Sequence, residues 1–184
     1  ITVIEDCSHA HGASFGGRML GSWGHIAVFS LQGSKAVSAG EGGIAITNSD
    51  EYYAKMAAYG HQESYKQFGI DKDKYALPPF GYGSKMRVHP LGAVLASVDF
   101  RHLDYKNKIF SEWFNEMHHI AQDSHFFSLQ KINEEAKIAG FACGLALIIS
   151  AEQNVDGFVS KLKSAGINHF RRDYSDSIKY FSSS

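Results

Sequence analysis

Long apolar runs, cysteine and an excess of either charge are all scarce in this chain of 184 residues. No stretch approaches the roughly 20 apolar residues that a membrane-spanning helix requires, so we predict no membrane segment. The 18 lysines and arginines nearly balance the 19 aspartates and glutamates, which leaves a formal net charge of −1. A chain without a basic excess lacks the usual electrostatic basis for binding nucleic acid or an anionic membrane.

Cysteine usage and overall composition indicate an ordinary globular protein. The two cysteines, Cys7 and Cys143, have neither the spacing of a metal site nor the number that a disulfide framework requires. We therefore expect a reducing compartment, with the cytoplasm as the default location. Hydrophobic residues make up 44% of the chain and charged residues 20%, proportions typical of a soluble domain with a buried core.

The ten histidines show no arrangement that favours a metal ion. His118 and His119 are adjacent in a segment with helical periodicity, and neighbouring rings on a helix point apart. His9 and His11 can point the same way on an extended segment, but no third ligand accompanies them. We expect no metal site.

One corner of the chain between two apolar runs carries the clearest chemical signal. The first run, residues 26–29, ends at Ser30, and Lys35 follows within the loop. A glycine-rich turn over residues 38–43 then leads directly into the second run, residues 44–47. Neither of the common glycine-rich phosphate motifs fits this loop. A lysine held in a corner between two buried strands can act on a ligand, and its amine can form a Schiff base with pyridoxal phosphate (PLP). An ordinary solvated lysine is the alternative.

A second candidate group follows the apolar run at the start of the chain, which leads into Glu5 and Asp6. In open α/β sheets, functional groups collect beyond the carboxyl ends of the strands. A carboxylate at that place can pair with the protonated pyridine nitrogen of PLP and keep the ring an electron sink. A lone aspartate at a strand end is more often a cap or turn residue, and this alternative stays open.

Residues 5–50 resemble the core signature of the DegT/DnrJ/EryC1/StrS family, in the sequence EDCSHAHGASFGGRMLGSWGHIAVFSLQGSKAVSAGEGGIAITNSD. Similarity continues through GYGSKMRVHPLGAVLASVDFRHLD and, more weakly, to about residue 170. The resemblance implies a PLP-dependent sugar aminotransferase of the aspartate aminotransferase fold (fold type I). The implied α/β architecture is part of a large PLP-binding domain with a mostly parallel sheet (1–105), a connecting long helix (106–121) and part of a smaller α+β domain (122–184).

The same resemblance assigns roles to five residues. Lys35 matches the lysine that forms the internal aldimine and then shuttles a proton. Asp6 matches the aspartate that pairs with the pyridinium nitrogen, and His9 stands where the family has a polar residue near the cofactor's 3′-oxygen. Ser30 matches the serine that contacts the phosphate, and Gln32 fills the polar position of the family's S-x-[HQ]-x-x-K pattern.

The implied reaction transfers an amino group from glutamate or glutamine to a nucleotide-linked keto-sugar or a cyclitol ketone, in a homodimer. Relatives that dehydrate sugars carry histidine at the position of Lys35, so lysine favours transamination. A PLP-dependent sugar dehydratase and a non-catalytic binding or regulatory module stay open as alternatives. Family members are considerably longer than this chain. We therefore expect an incomplete chain with an exposed apolar sheet face and an unpaired strand edge, which is poorly soluble alone or pairs with a complementary chain.

Local patterns predict the remaining elements. Helical periodicity predicts a helix over residues 50–59, another over 156–165 that Gly166 ends, and a long helix from Pro90 to about residue 120. The predicted core face of the long helix comprises Leu91, Val94, Leu95, Val98 and Leu103. The aromatic residues further along it, with Met117, are expected to pack against the C-terminal unit.

Two further segments complete the sequence-based description. Residues 60–80 are predicted to form a polar loop that is either a substrate contact or a solvated connector. Residues 139–150 are predicted to form an apolar strand, and a further strand is expected to begin at Ile167.

Overall fold

The computed structural model of the chain describes residues 1–60, 68–125, 127–140, 147–149 and 154–167. These residues form three small sheets and four helices. The elements in chain order are β1 (Ile4–Asp6), β2 (Ser14–Phe15), β3 (Arg18–Met19), β4 (Ile26–Ser30), β5 (Gly43–Ile46), α1 (Asp50–Gly60), α2 (Pro90–Arg101), α3 (Leu103–Gln122), β6 (Phe127–Leu129), β7 (Ala136–Lys137), β8 (Leu147–Ile149) and α4 (Val155–Ser164).

The sheet that contains the predicted site has the strand order β1-β4-β5. β1 and β4 are parallel, with Asp6 opposite Val28, whereas β4 and β5 are antiparallel. The carboxyl ends of β1 and β4 therefore lie at one edge of the sheet. The prediction that the strand after the lysine corner is buried is wrong. Ile44 and Ile46 are 47% and 43% exposed, because β5 is the edge strand of the described sheet.

A β-hairpin that the sequence analysis did not predict follows β1. β2 and β3 pair around Gly16 and Gly17, whose φ angles of 54° and 76° are ones that glycine adopts without steric cost. β7 pairs with the other side of β2. A segment that follows α3 thus returns to the N-terminal region. The predicted domain boundary at residue 122 stays a prediction, although β2 before it and β7 after it pair in one sheet.

α1 confirms the helix predicted after β5, and Ser49 caps it by accepting a hydrogen bond from the N–H of Tyr52 at 3.3 Å. Its buried side, Ala54 and Ala58, packs against Leu77 in the described part of the predicted polar loop. Residues 61–67 of that loop lie outside the described residues.

The predicted long helix is in fact two helices. It begins at Pro90 as expected, where the His89 side chain accepts a hydrogen bond from the N–H of Leu91. It breaks at His102, which has φ −98° and ψ 1° and whose N–H donates to the carbonyl of Asp99. The apolar periodicity continues across this residue, so the pattern predicts a single helix.

The buried face of α2 also differs from the predicted one. Four residues of the predicted core face are 47–69% exposed, namely Leu91, Val94, Leu95 and Val98. Gly92 and Ala96 are buried instead, together with Leu103 at the start of α3. A Cβ atom on Gly92 would lie only 2.7 Å from the carbonyl oxygen of Ala39, so the helix touches the loop after β4 through its smallest residue. Large side chains cannot occupy that contact, which explains the error.

The C-terminal predictions are confirmed for the helix and, over residues 147–149, for the strand, whereas residues 139, 140 and 167 are not in strands. α4 lies within one residue of its predicted bounds, with Asn154 as its N-cap and Gly166 at φ 86° after it. β8 confirms part of the strand predicted over 139–150, of which 141–146 and 150 lie outside the described residues. The strand expected to begin at Ile167 also lies outside the described residues, apart from Ile167 itself. None of the helices within the described ranges is long and apolar enough to span a bilayer.

Candidate cofactor site

Asp6 and Ser30 are the last residues of two neighbouring parallel strands. The N–H of Cys7 donates to the carbonyl of Val28 at 2.8 Å, so the chain follows β4 for one more residue before it turns away. The carboxylate is exposed and the hydroxyl is half-buried. The structure therefore brings both predicted residues to the carboxyl edge of the sheet.

Asp6 is held as an anion by its immediate neighbours. The Ser8 hydroxyl donates to its Oδ1 at 2.5 Å and the Ser8 N–H donates to the same oxygen at 3.0 Å. These two hydrogen bonds lower the pKa of Asp6, burial raises it by less, and smaller electrostatic effects of His9 and Lys35 lower it again, so the net shift is downward. The carboxylate is thus charged near neutral pH.

Glu5, the adjacent carboxylate, has a structural task instead. Its side chain accepts hydrogen bonds from the backbone N–H groups of Gly21, Trp23 and Gly24 at 2.6–2.8 Å. Burial raises the pKa of Glu5, but the three N–H donors more than offset this and the net shift is downward. Glu5 therefore anchors the turn before β4 and leaves Asp6 as the carboxylate that a ligand can reach.

A chain of short polar contacts shapes the corner that carries Lys35. Ser30 Oγ accepts from the N–H of Gln32 at 3.3 Å. Gln32 Oε1 accepts from both the N–H and the hydroxyl of Ser34, at 2.8 and 2.6 Å. The N–H of Lys35 donates back to the carbonyl of Gln32 at 2.9 Å. Such side-chain-to-backbone bonds define tight turns, so in this structure the amide oxygen of Gln32 supports the loop.

Lys35 itself is half-buried, and the loop around it closes on the core. The N–H of Leu31 donates to the carbonyl of Gly42, and the N–H of Ala39 donates to the carbonyl of Leu31, at 2.9 and 2.8 Å. Leu31 and Val37 are buried in one hydrophobic cluster with residues of α2 and α3. The lysine thus projects from a loop that is tied at both ends.

An ion pair from the two helices fixes the same loop. Asp99 of α2 accepts the N–H of Ser38 at 3.1 Å and pairs with Lys106 of α3 at 2.8 Å. The Lys106 ammonium also donates to the carbonyl of Ala36 at 2.9 Å. The Lys106 hydrogen bond lowers the pKa of Asp99, burial raises it, and the Ser38 N–H lowers it, with a net downward shift. The loop is therefore anchored on both sides of Val37.

Asn107 is a buried polar residue that the sequence analysis did not single out. Its Nδ2 donates to the carbonyl of His11 at 2.9 Å, and its Oδ1 accepts from the N–H of Gly140 at 3.0 Å. The side chain, 6% exposed, thus ties the loop after β1 and the segment near residue 140 to α3. The sequence does contain one sign of this role, because Asn107 is a lone amide between Leu103 and Phe110 on an otherwise apolar helix face.

His11 is a second buried group close to Lys35, weighed from sequence only as a metal ligand. It is 6% exposed, its ring centre lies 5.4 Å from that of Phe29, and its Nε2 is buried without a hydrogen-bond partner in the structure. Burial lowers the pKa of His11, the Ser30 carbonyl opposes this, and the charges of Lys35 and His9 add to the lowering. Nowhere in the described ranges do three potential metal ligands come together.

A cavity of about 610 Å³, here called the α3 cavity, is lined in part by Lys35. Its main lining residues are Lys35, Lys106, Ile109, Phe110, Trp113 and Gly140. Asp6, His9 and Ser30 do not line it. A second cavity of about 640 Å³ lies between β5, α1 and residues 85–88, away from Lys35.

Comparison with known proteins identifies the family of this chain. The sequence matches the DegT/DnrJ/EryC1/StrS aminotransferase family over residues 1–180. The chain belongs to that family. The resemblance inferred from the residues around Asp6 and Lys35 is thereby confirmed.

Among curated relatives in this family, the L-glutamine:2-deoxy-scyllo-inosose aminotransferase of Streptoalloteichus tenebrarius is 52% identical over 56 residues. That match covers 30% of this chain and 13% of the relative. GDP-perosamine synthase of Caulobacter vibrioides is 38% identical over 87 residues, which cover 47% of this chain and 22% of the relative. The matches therefore span less than a quarter of either relative.

The fold class is confirmed by solved structures. The E. coli GDP-4-keto-6-deoxy-D-mannose-3-dehydratase with bound hydrated PLP superposes with a TM-score of 0.74 at 19% identity. The match covers 99% of this chain and 49% of the dehydratase. The chain therefore has the α/β fold of the PLP-dependent transferases, over about half the length of that enzyme.

Proposed function

We propose that this chain holds PLP at the carboxyl edge of β1 and β4, and that the protein containing it is an aminotransferase. The proposed reaction moves an amino group from glutamine or glutamate to a nucleotide-linked keto-sugar or a cyclitol ketone. Membership of the family and the two named relatives support this reaction. The observation that carries it is geometric: Asp6 and Ser30 end two neighbouring parallel strands, and the half-buried Lys35 lies in the loop that leaves the second of them.

The residues at this edge fit PLP in chemical type. The amine of Lys35 suits the cofactor's aldehyde, and the anionic carboxylate of Asp6 suits the pyridine nitrogen. The hydroxyl of Ser30 suits the phosphate. Ser30 Oγ already accepts a hydrogen bond from the N–H of Gln32, so its own proton can be donated to a phosphate oxygen. When bound, PLP supplies an electron sink for the negative charge that develops at the donor's α-carbon.

Each proposed residue then has one task. Asp6 keeps the proton on the pyridine nitrogen, because its lowered pKa makes it a stable anion. The Lys35 amine would hold the cofactor and would serve as the general base and acid that moves a proton. His9, exposed three residues after Asp6, is assigned to the cofactor's 3′-oxygen. Gln32 holds the corner in shape through Ser34 and contributes its remaining polar atoms to the cofactor.

We propose the domain division in the same terms. Residues 1–105 form part of the PLP-binding domain, residues 106–121 the connecting helix and residues 122–184 part of the smaller domain. A cytoplasmic location fits Cys7, whose thiol is free and buried, with its pKa raised by burial and by the charges of Glu5 and Asp6.

A homodimer is part of the proposal. The exposed apolar face of α2 is a surface that an interface would cover. The test is sedimentation of the chain with Val94→Glu, which is expected to shift self-associated protein toward monomer. Tyr105→Glu, an exposed residue of α3, serves as the control. Equal association in both variants would contradict an interface on this face.

Cofactor attachment is tested by absorbance and borohydride reduction of the 184-residue chain after addition of PLP. The proposal predicts an absorbance band that reduction fixes permanently in the native chain and that is lost in Lys35→Ala and Lys35→Arg. Asp6→Asn should retain attachment but weaken PLP binding, because a neutral amide no longer stabilises a pyridinium. An unchanged band in Lys35→Ala would contradict the assignment.

Turnover by the protein containing this chain separates the remaining alternatives. With ¹⁵N-labelled glutamine or glutamate as donor, an aminotransferase leaves the label in the sugar or cyclitol product, whereas the product of a dehydratase contains no donor nitrogen. A non-catalytic module binds PLP or sugar without turnover. Lysine at position 35 favours the first outcome.

A further inference from the structure

We propose that Trp113 is the platform on which the ring of the amino-acceptor substrate lies, in the α3 cavity beside Lys35. This inference rests on the proposed function, because it takes the acceptor to be a cyclic sugar or cyclitol ketone. It goes further by naming a specificity-determining residue on α3, outside the strand edge that holds the predicted cofactor groups.

The cavity wall is one face of α3. Lys106, Ile109, Phe110 and Trp113 follow the three- and four-residue spacing that places side chains on the same side of a helix. Lys106 sets the orientation of this face, because its ammonium bonds both Asp99 and the carbonyl of Ala36. The rest of the face is thereby directed at the loop that carries Lys35.

Trp113 is the largest apolar group in this wall, and its neighbours hold it in place. Its ring centre lies 5.9 Å from that of Phe110, at an interplanar angle of 47°. Phe110 in turn packs so closely on Gly140 that an added Cβ there would lie 2.9 Å from the phenylalanine Cβ. Trp113 is nevertheless 40% exposed, so a supported indole is available at the cavity surface.

A cyclic polyol matches this wall chemically. One face of a pyranose or cyclitol ring presents C–H groups that pack on an aromatic ring, while its hydroxyls remain at the rim for polar partners. The Lys106 ammonium lines the cavity and has three N–H donors, of which the bonds to Asp99 and Ala36 use two. The cavity volume of about 610 Å³ falls within the range of roughly 300–1,000 Å³ typical of small-molecule sites. A ring on Trp113 shares its cavity with Lys35, the proposed reactive amine.

Tryptophan fluorescence tests the proposal directly, because the chain has only two tryptophans. Trp23→Phe leaves Trp113 as the sole emitter, and Trp113→Phe leaves Trp23, which lies in the turn before β4 beside Arg18. Each variant is titrated at fixed PLP with scyllo-inosose, a cyclitol ketone, and with GDP-perosamine, the amino-sugar product of the nucleotide-linked class. We expect a saturable emission change for at least one probe in Trp23→Phe and none in Trp113→Phe.

Calorimetric titration with the responding probe measures the contribution of the ring. Trp113→Ala is expected to weaken binding about tenfold, the upper range for loss of one aromatic contact, whereas Trp113→Tyr should stay within about threefold. Tyr105→Ala, on the same helix and not part of the cavity, is the matched control and should bind as the native chain does. Rescue by tyrosine separates a platform from simple loss of folding.

The outcomes separate this inference from the proposed function. Unchanged emission in Trp23→Phe with both probes, or equal affinity in Trp113→Ala and the native chain, overturns the platform even if borohydride still fixes PLP to Lys35. An emission change without PLP attachment to Lys35 supports the ring site and contradicts the proposed function instead.

Discussion

On one face of α2, Gly92 and Ala96 lie against the loop that carries Lys35, whereas on the other face four large apolar residues are exposed. On the closed face, the backbone of α2 at Gly92 lies in contact with the backbone of Ala39. The Asp99 carboxylate adds a hydrogen bond from the N–H of Ser38. The open face has more hydrophobic area but no described neighbour to cover it. The comparison teaches that close backbone contact and a few buried polar hydrogen bonds position the candidate site. Burial of large apolar side chains does not.

The largest loss of stability is expected from Asn107→Ala, which removes buried polar bonds between α3 and two other segments. The change leaves the His11 carbonyl and the Gly140 N–H without their present partner, and each unmade bond of this kind costs about 1–3 kcal/mol. We expect a loss of about 2–4 kcal/mol in the free energy of unfolding, measured by urea denaturation. Asn115→Ala, an exposed amide on the same helix, should change it by less than about 0.5 kcal/mol. Similar losses in the two variants would contradict the role given to Asn107.

Adding a methyl group to the closed face should lower the free energy of unfolding more than removing atoms from the open face does. Gly92→Ala places a Cβ 2.7 Å from a backbone oxygen, and we expect a net loss of about 1–3 kcal/mol despite alanine's better helix propensity. Val94→Ala, at an exposed position of the same helix, should lose less than about 1 kcal/mol. Thermal unfolding of both variants checks the order, and the reverse order would refute the assignment of faces.

Removing the ion pair should have a smaller effect. Asp99 and Lys106 are both partly exposed, so solvent screens their attraction, and Lys106→Met should lose about 1 kcal/mol. The pKa of Asp99 is lowered in the folded chain, so its stabilising effect is present above the ordinary aspartate pKa and is lost as the pH falls through the lowered value. Urea denaturation at pH 7 and at pH 3 should show a smaller difference in Asp99→Asn than in the native chain; an equal difference would count against the pair.

The smallest effect expected is the pH dependence from His11. Its pKa is lowered by burial, so below the ordinary histidine value of 6.5 the unfolded chain binds a proton that the folded chain does not. Stability should therefore fall as the pH drops from 6.5 toward the lowered value. Denaturation across this range should be flatter in His11→Phe than in the native chain, with His119→Phe, at an exposed position of α3, as the control. Identical slopes in all three proteins would contradict a buried neutral His11.

Local sequence patterns predicted the parts of the fold that depend on local forces. The strand-to-loop changes at Asp6 and Ser30, the start of α2 at Pro90 and the helix end at Gly166 all follow from residues next to each other in the chain. The corner containing Lys35 is equally local, since Ser30, Gln32 and Ser34 bond one another within it.

The errors and omissions concern contacts between distant segments. The packing side of α2 depends on how closely Gly92 approaches Ala39, which the apolar pattern does not record. Asn107 and the burial of His11 were not predicted, because both residues are buried by segments that meet only in the folded chain. The β2–β3 hairpin was missed because its strands are too short to show an alternating pattern.

Peptide mapping by mass spectrometry, after PLP addition and borohydride reduction of the 184-residue chain, tests the central claim most directly. The account predicts that the reduced cofactor is found on the peptide containing Lys35, and that Lys106, which lines the same cavity, stays unmodified because its ammonium is bonded to Asp99 and Ala36. Attachment mainly at Lys106, or spread evenly over exposed lysines, would contradict the assignment of Lys35 as the cofactor lysine.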